Sequence, residues 1–275
     1  MKKLLLGTVA LIAIAGTASA ADLRMPVKAP PVIAPVFSWT GCYIGGYVGG
    51  AWAGNDAAAY DYGVSGVANG FANSAYNNFY DHGWSYKHDS SFIGGGTVGC
   101  NWQPVGSPWV LGLEGEIGYM SISGSAIDPV ARNAAGLGLD TVASSKIGDW
   151  YGMITGRLGY AFDRALIYVK GGVAFVDTEW SVVDGCTTGT CSPWTVNAGG
   201  SSTKATWTVG GGLEYAFDMN WSIKAEYMFI GLDETETSCG TAVGPTANPF
   251  CFSHDLPGIH TAKVGLNYRF GGARY

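Results

Sequence analysis

The 275-residue chain carries 43 glycines, 13% aromatic residues and only 13% charged ones, with a formal net charge of −6. The acidic balance argues against nucleic acid or another polyanion as partner. The length fits one domain, and high glycine without collagen periodicity suits close-packed strands.

Met1-Lys2-Lys3 is a basic start, residues 4–16 form a short apolar run, and Ala18-Ser19-Ala20 fits the small-x-small cleavage rule. This reads as a secretory signal peptide over 1–20, cut between Ala20 and Ala21. The run is too short for a membrane-anchoring helix, which needs roughly 20 apolar residues. Residues 21–38 hold Pro26, Pro30, Pro31 and Pro35 and read as an extended linker, leaving 39–275 as the folded domain.

Eight strands are predicted from there. Those at 41–52, 90–102, 109–121 and 150–161 place Ile44 and Val48, Phe92 and Val98, Leu111, Leu113 and Ile117, and Ile154 and Leu158 on one face. Those at 166–176, 203–217, 221–231 and 261–270 do the same with Val169 and Val173, Val209 and Leu213, Ile223 and Tyr227, and Val264 and Leu266. Successive side chains on a strand point to opposite faces, so each of these strands has one apolar side. The opposite face carries charge again and again: Glu114, Glu116, Arg157, Lys170, Lys204, Glu214, Lys224, Glu226, Lys263 and Arg269. Apolar outside and charged inside is the pattern of a chain that spans a membrane with strands, and the aromatics gather near the strand ends as interface girdles require.

The predicted connections alternate. Those at 103–108, 162–165 and 218–220 are tight turns, while those at 53–89, 124–149, 177–202 and 232–258 read as long polar loops. The expected fold is an all-β, eight-stranded antiparallel transmembrane up-and-down barrel with four long extracellular loops and three short periplasmic turns. An even strand number puts both termini on the periplasmic side. A soluble β-sandwich competes, but it requires neither that alternation nor inward charge.

The barrel interior is only wide enough for its own side chains. Unpaired charge is costly there, so the inward residues are expected to pair into a network that fills the lumen. Glu114 and Glu116 imply no cleft for a catalytic pair. Gly94-x-Gly96-x-x-Gly99 matches a dinucleotide fingerprint by letter, but a strand end follows it instead of a helix, so close strand packing explains it. Asp81-His82 and His88-Asp89 flank the end of the first long loop as candidate metal or haem ligands, though scattered loop histidines are the plainer reading; His254 and His260 stay unassigned. No outward His/Ser pair occurs in mid-strand, no cofactor or metal is expected, and the chain is not read as an enzyme.

The six cysteines are even in number, and export favours disulfides. Cys186 and Cys191 bracket one short stretch, and Cys239 and Cys251 bracket another; two loop-closing bonds are expected. Cys42 opens the first strand and Cys100 nearly closes the second, both outward at one rim, which suits either a cross-strand disulfide or two free thiols.

Trp39-Thr40-Gly41-Cys42-Tyr43-Ile44-Gly45-Gly46 resembles a known family, the small outer-membrane β-barrel, or porin-family, proteins of alphaproteobacteria. The stretches Leu111-Gly112-Leu113-Glu114-Gly115, Gly156-Arg157-Leu158-Gly159-Tyr160-Ala161-Phe162, Gly212-Leu213-Glu214-Tyr215 and Gly265-Leu266-Asn267-Tyr268-Arg269-Phe270 share the likeness. Two departures stand out: Gly271–Tyr275 follow the terminal aromatic that serves family members as an assembly signal, and Cys42 and Cys100 replace aromatics. The resemblance implies the outer membrane of a Gram-negative bacterium, with its lipid and lipopolysaccharide as surroundings, barrel-assembly machinery as the partner during insertion, and a monomer. The charge-filled interior favours a structural protein contributing to envelope integrity and displaying surface loops. The alternatives are a narrow channel for ions or small solutes and a surface receptor or adhesin, for haemin as an example.

Overall fold

The computed structural model describes residues 37–61, 82–128, 141–186, 194–232, 234–241 and 249–270. Among these residues thirteen strands follow one another: β1 (Gly41–Ala53), β2 (Ala57–Asp61), β3 (His82–Tyr86), β4 (Ser91–Trp102), β5 (Trp109–Tyr119), β6 (Ser121–Ile127), β7 (Val142–Phe162), β8 (Ala165–Cys186), β9 (Trp194–Ala216), β10 (Trp221–Ile230), β11 (Glu234–Thr241), β12 (Pro249–Leu256) and β13 (Ile259–Phe270). Among the described residues no helix is long and apolar enough to cross a membrane.

Eight strands close into a ring in the order β1, β4, β5, β7, β8, β9, β10, β13 and back to β1, each antiparallel to its neighbours. Period-2 alternation decides which face each residue takes: Leu113 is 62% exposed and Glu114, its neighbour, 1%. Val98, Ile154, Val173, Val209 and Val264 share the outer wall with Leu113. So large a continuous apolar exterior would aggregate in water and is at home against acyl chains. Trp109 against Tyr160 (centroids 5.3 Å apart) and Trp221 against Tyr268 (5.0 Å) belong to one aromatic girdle; Trp52, Tyr119, Trp150 and Trp207 lie at the other. β10 and β13, at 10 and 12 residues, have the length a tilted strand needs to cross the hydrocarbon.

The described parts of the four long connections are largely strand, which adds to the expected barrel what the sequence reading took as polar loop. β7, β8 and β9 run on for 21, 22 and 23 residues, about twice the membrane span. β6 pairs with the upper part of β7, and β11, β12, β2 and β3 form a second, four-stranded sheet that meets β6 through a His88–Gly124 bridge. Side-chain parity persists above the girdle while the chemistry reverses: Ser144, Lys146, Glu179 and Ser181 face outward, and Ala143, Ile147, Trp180 and Val182 face in. This upper part, the head, therefore has an ordinary water-facing surface. Its core holds Ala57, Ala59, Trp84, Tyr86, Ala143, Val182, Ala198 and Phe252. A β-bulge between Ile147 and Tyr151 marks the junction. Gly148 there takes φ +124°, and a Cβ on it would lie 2.0 Å from the Met120 carbonyl oxygen, so only glycine fits.

The predicted signal peptide with Ala20 and Ala21, most of the predicted linker, Asp81, Cys191 and Gly271–Tyr275 lie outside the described residues. Phe37 and Ser38, assigned to the linker from sequence, instead sit against the short-turn mouth of the barrel. Trp39 Nε1 donates to the Asp163 carbonyl (3.1 Å), its backbone N–H donates to Gln103 Oε1 (2.8 Å), and Arg269 stacks on Phe37 (4.5 Å).

Candidate functional site: the barrel interior

The inward face brings eight charged side chains from six strands to mid-lumen: Glu114 and Glu116 (β5), Arg157 (β7), Lys170 (β8), Glu214 (β9), Lys224 and Glu226 (β10) and Lys263 (β13). All are buried, and four carboxylates meet four cations. Lys170 Nζ donates to Glu114 Oε1 (2.5 Å) and Glu226 Oε2 (3.0 Å) and lies 4.0 Å from Glu116 Oε2. Lys263 pairs with Glu116 and, at 3.1 Å, with Glu226, while Arg157 pairs with Glu214.

The pairs run across the lumen more than along the wall. Arg157 and Lys170 stand opposite each other on β7 and β8, a like-charge arrangement that would be unfavourable if they faced only one another. They diverge: Arg157 turns to Glu214 and lies over the Tyr168 ring (3.6 Å), and Lys170 turns to β5 and β10. Lys224 reaches Glu114 at 3.2 Å, joining strands four places apart in a ring of eight.

Inward tyrosines complete the network: Tyr43 donates to Glu114, Tyr151 to Glu116 (3.0 Å) and Tyr168 to Glu226 (2.9 Å). Ser222 (2.5 Å) and Asn267 (2.9 Å) donate to Glu214. These neutral partners carry no charge to mark them in the sequence, although their inward parity is legible there. Glycine makes room for the rings, since a Cβ on Gly99 would lie 2.5 Å from Tyr43 Oη and one on Gly95 2.3 Å from Tyr47 Oη. That is the packing role expected for the Gly94–Gly99 stretch.

Apolar layers close the lumen on either side of the charges. Toward the short-turn mouth lie Phe37, Trp39, Val110, Ala161, Leu166 and Ala216. Toward the head lie Ile93, Met120, Ile122, Ile147, Met153, Val176, Met228 and Ile230. Ligand oxygens of Glu114, Glu116 and Glu226 lie within 4.8 Å of one another, a spacing that suits a hard cation. The Lys170 ammonium stands among those oxygens, so the trio already has its counter-charge.

Two members of the expected network belong elsewhere. Lys204 keeps its inward parity, but β9 has risen above the girdle by that point, and Lys204 pairs with Glu236 of β11 at a partly exposed site in the head. Arg269 lies at the short-turn mouth, where it donates to the carbonyls of Ser38 (2.9 Å) and Met219 (2.8 Å). Cys42 and Cys100 stand opposite each other on β1 and β4 and are bonded, as are Cys239 and Cys251 across β11 and β12. The Cys186 pairing falls on Cys191, outside the described residues.

His88 and His254 are joined in the head through Ser145 and Tyr86, while His260 stands apart; the side chain of His82 lies outside the described ones. His88 is partly buried against Ser145, His254 is buried in the head, and His260 stacks among Trp52, Tyr227 and Phe229 on the outer wall. Leu113, Ile154, Val173 and Val209 are exposed on the outer wall, and Thr155 is buried inside.

Residues 8–270 match the family model described as outer membrane protein beta-barrel domain. The 31 kDa outer-membrane immunogenic protein of Brucella melitensis biotype 1 is 32% identical over 286 aligned residues, covering 98% of this chain and 100% of that one. The protein of the same name from Brucella suis biovar 1 gives the same figures. Among solved structures, OprG from Pseudomonas aeruginosa aligns over 85% of this chain and 99% of its own, with 11% identity and a TM-score of 0.43. Ail of Yersinia pestis aligns over 84% and 99%, with 12% identity and a TM-score of 0.37.

Proposed function

Since the chain belongs to the outer membrane protein β-barrel domain family, we propose that it acts as a closed structural barrel of the outer membrane that holds a folded β-head at the cell surface. It contributes to envelope integrity through the rigidity of its lumen and carries no catalytic step. The observation that carries this reading is the Lys224–Glu114 pair, which ties opposite walls at 3.2 Å inside a network capped by apolar layers. A solute path would require those pairs to part and buried charges to stand alone, at several kcal/mol each.

The head faces outward and both termini face the periplasm. The turn-bearing rim supports this orientation, because Cys42 and Phe270 lie side by side there and family barrels keep short turns on the periplasmic side. The relatives' printed name, an outer-membrane immunogenic protein, agrees with a surface-exposed head. Just above the girdle the head carries a groove of about 930 Å³, lined by Ser125, Ser144, Lys146, Glu179, Asn197 and Ser201 among others. Hydroxyls, an amide and charges of both signs suit the saccharide layer of lipopolysaccharide.

Osmotic swelling of vesicles holding the refolded protein tests the closed lumen. Vesicles should resist entry of small sugars as protein-free vesicles do; swelling that scales with protein content would favour the channel reading. In cells, an unboiled sample from the outer-membrane fraction should migrate differently from a boiled one.

A further inference from the structure

A hydrogen-bonded chain crosses the core of the head. Tyr86 donates its hydroxyl proton to Ser145 Oγ at 2.7 Å, and the Ser145 proton is then available to His88 Nε2 at 2.8 Å. Tyr86 Oη also lies 3.2 Å from His254 Nδ1. A hydroxyl has one proton to give, so His254 Nδ1 is the donor in that pair and Nε2 is left as an acceptor. His254 is fully buried, and Nε2 has no hydrogen-bond partner. Ala59, Trp84, Ala143, Val182 and Phe252 share its core.

Among the described side chains no carboxylate pairs with that nitrogen; those of Asp61, His82 and Glu234 lie outside the described ones. On β12 itself Asp255 accepts from Thr235 at 2.5 Å, and its charge only partly offsets the burial of His254. Glu236 of β11 stands opposite His254 on the same face but is held by Lys204 of β9. Lys146 and Asp149 of β7 pair with each other at the surface, and Asp177 and Glu179 of β8 lie on its outer face. Asp56 and Asp89, with Lys87, lie at the His88 end of the chain, and Asp128 is buried beyond β6.

We propose that the head is an acid-opened closure: a proton on His254 Nε2 puts an unpartnered cation into this core and releases the sheet of β2, β3, β11 and β12 from the upper strands of β7–β9, while the barrel below stays shut. The sign follows from burial. Desolvation pushes His254 down from its ordinary 6.5 to about 4 and pushes His88 down as well, with Asp89 and Asp56 partly offsetting it at His88. An opened head takes up the proton near the ordinary value, so closure is fully favoured above about pH 6.5. It weakens as pH falls toward about 4 and changes little below that. Across that window the open-to-closed ratio should rise on the order of a hundredfold.

The test is hydrogen exchange on the full chain refolded in lipid vesicles, at about pH 7 and about pH 4.5, corrected for intrinsic exchange. Protection of β2, β3 and β12 should fall by on the order of a hundredfold at acid pH, with β5 and β10 unchanged. His254→Phe should abolish the response. Lys204→Met frees Glu236 to pair with a charged His254 and should move opening to lower pH. Equal protection of the wild-type head at both values would overturn the proposal, as would an unaltered response in His254→Phe. Should His254→Phe fail to form the head at pH 7, an unshifted midpoint in Lys204→Met would overturn it instead.

Discussion

Lys170→Met removes the cation around which three carboxylates are arranged. The side chain donates at 2.5 Å to Glu114 and 3.0 Å to Glu226 and stands 4.0 Å from Glu116, and neither it nor its partners has more than 1% of its side chain exposed. Solvent therefore does little to screen the loss. Breaking a buried pair by deleting one partner costs about 3–5 kcal/mol, because the remaining charge is stranded. Lys224 and Lys263 still neutralise part of it, which places the expected loss within that range and not above it. The comparison is Lys204→Met, whose pair with Glu236 is 22% and 14% exposed and should be worth about 0–1 kcal/mol. Urea unfolding in lipid vesicles, followed by tryptophan fluorescence, measures both. Equal and small losses for the two variants would mean that the lumen charges do not hold the barrel together.

The same variant exposes the carboxylate trio of Glu114, Glu116 and Glu226 to cations, so millimolar Ca²⁺ should raise the urea midpoint of Lys170→Met and leave wild type unmoved. On the outer wall, Leu113→Arg should cost roughly 2–4 kcal/mol by the same assay. Thr155→Arg, which points inside, should cost less, and the reverse order would invert the face assignment. Gly99→Ala sets a Cβ 2.5 Å from Tyr43 Oη and 2.9 Å from a backbone oxygen and should cost about 1–3 kcal/mol. Gly96→Ala meets nothing nearer than 3.7 Å and should be close to neutral, and matching losses at the two sites would refute the packing role of the inward glycine.

Within the membrane, sequence and structure agree because one rule governs every strand. Leu113 and Glu114 must face opposite ways, and only one of them tolerates lipid, so parity alone locates the wall and the lumen. The head is harder to see. Ser144-Ser145-Lys146 and Gly199-Gly200-Ser201 alternate with the same period, but water on the outer face replaces apolar side chains with serine and glycine, and the signal resembles a loop. Lys204 has the inward parity of the lumen residues, but the length of β9 carries it past the girdle and into the head. Partners distant in sequence were also hidden. Tyr86 and His254 are 168 residues apart and meet through the four-stranded sheet of the head, and Trp39 meets Asp163 across 124 residues through the closed ring.

The closed lumen is the central claim, and single-channel recording of the refolded full-length protein in planar bilayers tests it most directly. Membranes holding the protein should show no stable conductance steps, because Lys170, Lys224 and Lys263 remain paired with Glu114, Glu116 and Glu226. Reproducible steps in wild type, altered in size by Glu116→Ala, would contradict it.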